Sequence, residues 1–207
     1  MSILKKIITT AMISVMAISA FGCVKYQTPE DFKPTTPDNC LTGLHHVEID
    51  VQDYGKICVE LDADTAPMTV TNFIDLASSG FYDGLTFHRI IDGFMIQGGD
   101  PEGTGLGGSD KNVIGEFANN GYTNDISHVR GTISMARNGQ DMNSASSQFF
   151  IVQTDSTYLD GDYAAFGHVT SGMDIVDQIC ADTPVQDNNG TVLAGDQPVI
   201  TTIRVID

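Results

Sequence analysis

Short segments in which polar and apolar residues alternate recur along most of this 207-residue chain, and they constrain its fold more than any other feature. A two-residue period is typical of a β-strand that is buried on one face, because successive side chains point to opposite faces. The clearest such segments are 45–51 and 56–61. Further short strands are predicted at 86–91, 94–97, 131–136, 148–153, 164–169 and 199–206.

Two other segments have the periodicity of helices. The first begins at Pro67, a residue favoured in the first turn of a helix, and ends at Gly80. The second covers residues 173–180, and a later Asn189-Gly190 pair indicates a hairpin turn. Many short strands with only two helices predict a mainly β fold, a closed antiparallel β-barrel with the helices over its ends.

The first 22 residues have the pattern of an export signal. Lys5 and Lys6 precede an apolar stretch, 7–20, that is too short and too interrupted by hydroxyl side chains to span a membrane. The small residues before Cys23 resemble a bacterial lipobox, in which the cysteine becomes a lipid-bearing N-terminus. We therefore predict a signal peptide over 1–22 and an exported lipoprotein anchored at Cys23. The alternative is ordinary cleavage to a soluble periplasmic or secreted protein.

A tether is predicted to follow the anchor. Residues 23–43 contain Pro29, Pro34 and Pro37 among threonine and charged residues, a composition that favours an extended chain without a core. The folded domain is predicted to cover residues 44–207.

The charge balance limits the partners of this domain. Ten Lys and Arg stand against 27 Asp and Glu, a formal net charge of −17. Nucleic acids are bound by clustered basic side chains, so no nucleic-acid partner is expected. An anionic membrane would also repel the domain, and membrane contact is expected only through the N-terminal lipid. High net charge favours a soluble monomer.

No cofactor or metal site is predicted. Residues 103–108 match the G-x-G-x-x-G pattern of dinucleotide-binding proteins, but no apolar helix follows to present its N-terminus to a pyrophosphate. A glycine-rich surface loop is the better interpretation. The spacing of Cys40, Cys58 and Cys180 does not resemble that of zinc ligands.

One segment, residues 87–101, has a composition that a structural role does not explain. Arg89 stands among apolar strand residues, and Phe94, Met95 and Gln97 follow it closely. Charged side chains are rarely buried without a partner or a purpose. Arg89 is therefore a candidate functional residue.

The same segment resembles the signature of the cyclophilin-type peptidyl-prolyl cis-trans isomerases. The resemblance extends over residues 45–206, which is essentially the whole predicted domain. It implies an eight-stranded antiparallel barrel capped by two helices, with the active site on its outer face. Further matches to the family lie in segments 134–137, 144–151, 158–161 and 165–167.

The resemblance also implies a role for individual residues. Arg89 corresponds to the catalytic arginine. Four apolar residues would form the pocket for the substrate proline, and three others would line the groove for the flanking peptide. The pocket residues are Phe94, Met95, Phe150 and Leu159, and the groove residues are Gln97, Ala136 and Gln148.

Two further substrate-binding positions depart from the animal members of the family. Tyr158 stands where those enzymes have Trp, and Tyr163 stands where they have His. Because Tyr163 keeps an aromatic ring and a hydrogen-bonding tip, activity is expected to be retained.

The implied reaction is rotation about the peptide bond that precedes proline, in proline-containing peptides and unfolded exported proteins. In the transition state the amide nitrogen becomes pyramidal and basic, so a donor aimed at it binds the twisted state preferentially. The guanidinium of Arg89 suits this role, since it is always charged and its donors are fixed in a rigid fork. A non-catalytic module that binds proline peptides, or a chaperone on the same fold, is the alternative. The intact Arg89 and its pocket favour the enzyme.

Overall fold

The structure is a computed structural model that describes residues 37–207. The predicted signal peptide, residues 1–22, lies outside the described residues, as do Cys23 and most of the predicted tether. The end of that tether contacts the domain, because the backbone N–H of Leu41 donates a hydrogen bond to the Thr71 hydroxyl at 2.8 Å. Within residues 37–207, none of the helices is long and apolar enough to cross a membrane.

Eight strands and two α-helices make up the domain, as the sequence predicts. The strands are β1 (Leu44–Val51), β2 (Gly55–Asp62), β3 (Thr86–Ile91), β4 (Met95–Asp100), β5 (Thr132–Met135), β6 (Phe149–Val152), β7 (Ala165–Ser171) and β8 (Ile200–Val205). The helices are α1 (Pro67–Ser78) and α2 (Met173–Asp182), and short 3₁₀ turns lie at Ala118–Asn120 and Thr157–Leu159. All strand pairings are antiparallel, in the order β3-β4-β6-β5-β7-β2-β1-β8.

The sheet curls until its two edge strands, β3 and β8, meet. The backbone N–H of Phe87 donates to the carbonyl of Pro198 at 2.9 Å, and that of Ile200 donates to the carbonyl of Leu85 at 2.7 Å. One isolated β-bridge joins the same two segments. These contacts close the barrel and leave no long unpaired strand edge at this junction. The predicted mainly β, eight-stranded fold is confirmed.

Packed aromatic rings fill the barrel interior. Phe73 of α1 contacts Tyr82, Phe149 and Phe166 at ring-centroid distances of 5.1, 5.4 and 5.2 Å. Phe87 contacts Phe149 at 6.1 Å, and all five rings are fully buried. Rings at these distances stabilise the core beyond the area that they bury. Because the interior is occupied, a binding site must lie on the outside of the barrel.

A glutamate from a distant loop caps the start of α1. The N-cap residue Ala66 has no side chain that could do so. The Glu116 carboxylate accepts hydrogen bonds from the backbone N–H groups of Met68, at 3.1 Å, and Thr69, at 2.8 Å. It also accepts one from the Thr69 hydroxyl, at 2.7 Å. Burial raises the pKa of Glu116, which is only 1% exposed. This contact attaches the loop before β5 to the helix.

Glu116→Ala is expected to lower the free energy of unfolding by about 3 kcal/mol, because three donors in a buried place lose their acceptor. Urea unfolding followed by circular dichroism measures the change. Glu102→Ala removes an exposed glutamate and is the matched control, with an expected effect below about 0.5 kcal/mol. Equal destabilisation of the two variants would contradict the capping role.

Candidate active site

A β-bulge in β3 turns Arg89 to the outer face of the barrel. The register of β3 with β4 pairs Phe87 with Gly98 and Arg89 with Gln97, so His88 is an extra residue between two paired ones. Phe87 and His88 are both buried, whereas Arg89 is half-buried. Since side chains alternate along a regular strand, Arg89 would share the inward direction of Phe87 if the bulge were absent.

Apolar side chains of neighbouring strands form a small cluster on this outer face, separate from the main core. Met95 and Phe150 are 1% and 5% exposed, and Phe94, Leu159 and Tyr163 pack around them. The cluster surrounds a cavity of about 210 Å³, which we call the apolar pocket. The pocket is lined by Arg89, Phe94, Met95, Gln97, Ala136, Arg137, Phe150, Leu159 and Tyr163.

Two oxygen acceptors hold the guanidinium of Arg89 beside this pocket, and the sulfur of Met95 lies 3.9 Å from Nη1. Its Nε donates to the backbone carbonyl of Asn189 at 2.8 Å, and its Nη1 donates to Oε1 of Gln97 at 3.2 Å. Among residues 37–207, no side chain or carbonyl accepts a hydrogen bond from Nη2. Partial burial lowers the pKa of Arg89, but the group remains charged because an arginine pKa lies far above neutrality. Arg89 therefore presents a charged donor to a ligand in the pocket.

A chain of side-chain amides orients Gln97. Its Nε2 donates to Oε1 of Gln148 at 2.9 Å, and Nε2 of Gln148 donates to the carbonyl of Gly107 at 2.7 Å. Because the Gln97 amide donates in that direction, its oxygen points toward Arg89. The glycine-rich segment 103–108 thus forms a loop whose backbone supports the site.

A second cavity, of about 310 Å³, adjoins the apolar pocket, and we call it the polar pocket. The two share Gln97, Ala136 and Arg137, so together they form one groove. Most side chains of the polar pocket offer hydrogen-bonding groups, which suits the backbone of an extended peptide. Its lining residues are Gln97, Gly105, Leu106, Gly107, Ala136, Arg137, Asn138, Ser144, Ser146 and Gln148.

Arg137 stacks between two aromatic rings where the two pockets meet. Its guanidinium carbon lies 4.8 Å from the ring centroid of Tyr163 and 5.3 Å from that of Phe117. Its Nε donates to the carbonyl of Asp162 at 2.8 Å. Tyr163 in turn packs edge-on against Phe150, with centroids 5.9 Å apart. These contacts fix Tyr163 as a wall of the apolar pocket. Sequence reasoning gave Arg137 no role.

A buried histidine supports the back of the pocket. The ring of His128 stacks on that of Phe150, with centroids 6.0 Å apart. Its Nδ1 lies 2.8 Å from Oδ1 of Asp160, and its Nε2 lies 3.0 Å from the hydroxyl of Ser134. Burial lowers the pKa of His128, and the Asp160 carboxylate opposes that effect. A neutral imidazole satisfies both contacts by donating through Nδ1 and accepting through Nε2.

The structure brings nearly all of the predicted site residues together in the groove. Arg89 and the predicted apolar residues line the apolar pocket, and Gln148 lines the polar one. Tyr158 lines neither pocket. Its side chain is 70% exposed and contacts Phe94 at a centroid distance of 6.1 Å. The 3₁₀ turn Thr157–Leu159 directs Leu159 toward the pocket and leaves Tyr158 at its outer edge.

A filled antiparallel barrel with a peptide-sized groove on its outer face defines a class of peptide-binding β-barrel proteins, and comparison with known proteins identifies the family. The model of the family described as cyclophilin type peptidyl-prolyl cis-trans isomerase/CLD matches residues 46–205. The chain belongs to this family. It is a peptidyl-prolyl cis-trans isomerase, EC 5.2.1.8, whose substrates are proline-containing peptides.

Bacterial relatives and solved structures agree with this assignment. Peptidyl-prolyl cis-trans isomerase B of Bacillus subtilis is 48% identical over 124 residues, which are 60% of this chain and 82% of that protein. The isomerase of Helicobacter pylori is 46% identical over 127 residues, 60% of this chain and 74% of that one. A crystal structure of a cyclophilin-type isomerase of Cryptosporidium parvum matches with a TM-score of 0.71 and 31% identity, over 80% of this chain and 99% of that one.

The bulged residue His88 differs from His128 in its surroundings. It is 4% exposed, and neither ring nitrogen has a hydrogen-bond partner among residues 37–207. Burial lowers the pKa of His88 from its ordinary value of 6.5, Asp100 opposes this effect and Arg89 adds to it. At low pH the unfolded chain therefore binds a proton that the folded state binds less readily.

The melting temperature is accordingly expected to fall as the pH drops below about 6.5 toward the lowered pKa of the folded state, because stability is lost wherever the unfolded state takes up more protons. His88→Met keeps the bulk of the side chain and removes one titrating ring, so it should reduce the slope and leave the part that His128 contributes. Differential scanning fluorimetry between about pH 7.5 and about pH 5 measures the slope. His168→Met, at an exposed histidine of β7, is the control. Identical slopes for wild type and His88→Met would contradict the assignment.

Proposed function

We propose that Arg89 catalyses the isomerisation by donating a hydrogen bond to the nitrogen of the X-Pro bond as that bond twists. The observation that carries this proposal is the placement of the guanidinium. It lines the apolar pocket, Asn189 and Gln97 hold two of its nitrogens, and no described residue accepts from the third.

The proline ring of the substrate would occupy the apolar pocket. Its walls are aromatic and aliphatic side chains that are themselves supported from behind, as His128 supports Phe150. A ring gripped in this way stays still while the peptide on the other side of the bond rotates. In support, a cyclophilin-type isomerase of Cryptosporidium parvum, 31% identical to this chain, was crystallised in the presence of the dipeptide Ala-Pro.

Catalysis then requires only preferential binding of the twisted amide. The planar bond resists rotation because the nitrogen lone pair is delocalised, with a barrier of about 18–20 kcal/mol. A rate enhancement of roughly 10⁴ corresponds to about 5.5 kcal/mol. A planar amide nitrogen offers no lone pair to a donor, whereas the pyramidal nitrogen of the transition state does. A charged donor that is already oriented thus stabilises the transition state and not the ground state.

The polar pocket would bind the residues that flank the proline. Gln97, Ala136 and Gln148 lie along it, and the backbone of the 103–108 loop forms its other side. Because hydrogen-bonding groups predominate there, the pocket would recognise peptide backbone more than a particular side chain. A broad range of unfolded chains would then be accepted.

Arg89→Ala is expected to lower kcat/KM on an X-Pro peptide by at least about ten-fold, because one preorganised donor is commonly worth about 2.7–4 kcal/mol. A protease-coupled or NMR exchange assay measures the rate. Arg204→Ala, at an exposed arginine of β8, is the control and should leave the rate unchanged. Arg89→Lys should also be poor, since a point charge cannot reproduce the fork. Wild-type activity in a folded Arg89→Ala protein would exclude this mechanism.

We also propose that the isomerase acts on exported proteins from a membrane anchor. The support is the sequence of residues 1–43: a charged start, an apolar stretch, Cys23 in a lipobox-like context and a proline-rich tether. A tether of this kind has a purpose if the domain must reach polypeptides at some distance from the membrane surface.

The mature protein is therefore expected to begin at Cys23 and to carry lipid on that residue. Intact-mass measurement distinguishes the two processing routes, because acyl chains add mass to the cysteine and ordinary cleavage does not. Cys23→Ser should move the protein from the membrane fraction to the soluble fraction. An unmodified N-terminus in the wild-type protein, or a Cys23→Ser protein that stays with the membrane, would contradict the lipoprotein hypothesis. Neither result would affect the isomerase activity.

A further inference from the structure

A segment near the C-terminus packs against β3 beside the bulge. The backbone N–H of Ile90 donates to the carbonyl of Gly190 at 2.8 Å, and that of Val192 donates to the carbonyl of His88 at 3.0 Å. The turn predicted at Asn189-Gly190 is present, and the backbone N–H of Gln186 donates across it to the carbonyl of Thr191 at 2.8 Å. The segments on either side do not extend into a longer hairpin, because Val192 pairs with β3.

The same segment supplies one of the two oxygen acceptors that hold Arg89. The carbonyl of Asn189 accepts from Nε, and the side chain of Gln97 accepts from Nη1. A guanidinium is planar, so contacts at two of its nitrogens fix both its plane and its rotation within that plane. The direction of Nη2 is then determined. An arginine side chain that was free to rotate would have to lose conformational entropy during the reaction, whereas Arg89 is already oriented.

Asp187 determines where the Asn189 carbonyl lies. Its Oδ1 accepts from the backbone N–H groups of Asn189, at 3.0 Å, and Thr191, at 3.1 Å. Its Oδ2 accepts from the Thr191 hydroxyl at 3.0 Å. The turn also requires Gly190, whose φ is +78° and whose position leaves no room for a Cβ against the carbonyl of Ile90. One exposed carboxylate therefore holds together the turn that contacts Arg89.

We propose that the turn 187–191 is a positioning element of the isomerase and that Asp187 is its positioning residue, orienting the Arg89 guanidinium toward the apolar pocket through the Asn189 carbonyl. The inference rests on the role proposed above for Arg89. Asp187 touches neither pocket, so its loss should affect the rate and not the grip on the proline ring.

Asp187→Ala is expected to lower kcat/KM by about ten-fold, since small misplacements of catalytic groups are costly. The dissociation constant of an Ala-Pro peptide, measured by NMR titration, and the melting temperature should both stay at wild-type values. Asp196→Ala removes an equal charge from an exposed aspartate of the same segment, and it should leave the rate unchanged. Asp187→Asn keeps an acceptor for both backbone N–H groups and an amide for the Thr191 hydroxyl, so it should restore most of the rate.

A double-mutant cycle separates this inference from the proposed role of Arg89. In an Arg89→Ala background, Asp187→Ala should have no further effect. If Arg89→Ala loses activity but Asp187→Ala does not, the positioning role of Asp187 is wrong and the proposed role of Arg89 stands. An Asp187→Asn protein as slow as Asp187→Ala would overturn the positioning role too, because charge and not the turn would then be responsible. The positioning role would also be overturned if the losses in kcat/KM of the two single variants added up in the double variant. The same holds if Asp187→Ala weakened binding of the Ala-Pro peptide as much as it lowered kcat/KM.

Discussion

Packing of the barrel interior determines where every functional group of this protein can lie. Side chains alternate along each strand, so the residues that fill the core leave every second position to the outside. In β4, Ile96 points into the core while Met95 and Gln97 point outward, and in β6 Phe150 points outward from between two core residues. The core and the catalytic groove are therefore built from the same short strands. A residue that stabilises the fold and one that binds the substrate can be direct neighbours in sequence.

Much of this arrangement follows from local sequence. Two-residue periodicity marked the strands, and the helical stripes marked α1 and α2, because both patterns report a single buried face. The residues of the groove were found through the family resemblance carried by residues 87–101 and the matching segments. The substrate-binding role of Tyr158 stays a prediction, because its ring lies against Phe94 at the edge of the groove and is largely exposed. The composition of β3 also does not predict its bulge, on which the direction of Arg89 depends.

Contacts between distant parts of the chain were beyond sequence reasoning. Arg89 and Asn189 are 100 residues apart, and Glu116 caps α1 by accepting from Met68, which lies 48 residues earlier in the chain. Such pairs carry no local periodicity. The acceptor on Asn189 is its backbone carbonyl, which every residue has, so the residue type does not indicate this contact. Arg137 was equally invisible, because its role depends on two aromatic rings that only the fold brings to either side of it.

The bulge in β3 separates the direction of Arg89 from simple alternation along the strand. Deleting His88 would leave Arg89 directly after Phe87, and the two would still oppose Gln97 and Gly98 in regular order. Arg89 would keep its outward direction, and Ile90 would keep its place in the core. The deletion would instead remove the bend and the added twist that a bulge gives its strand. His88 thus sets the angle at which β3 presents Arg89 to the groove, and its imidazole chemistry is secondary.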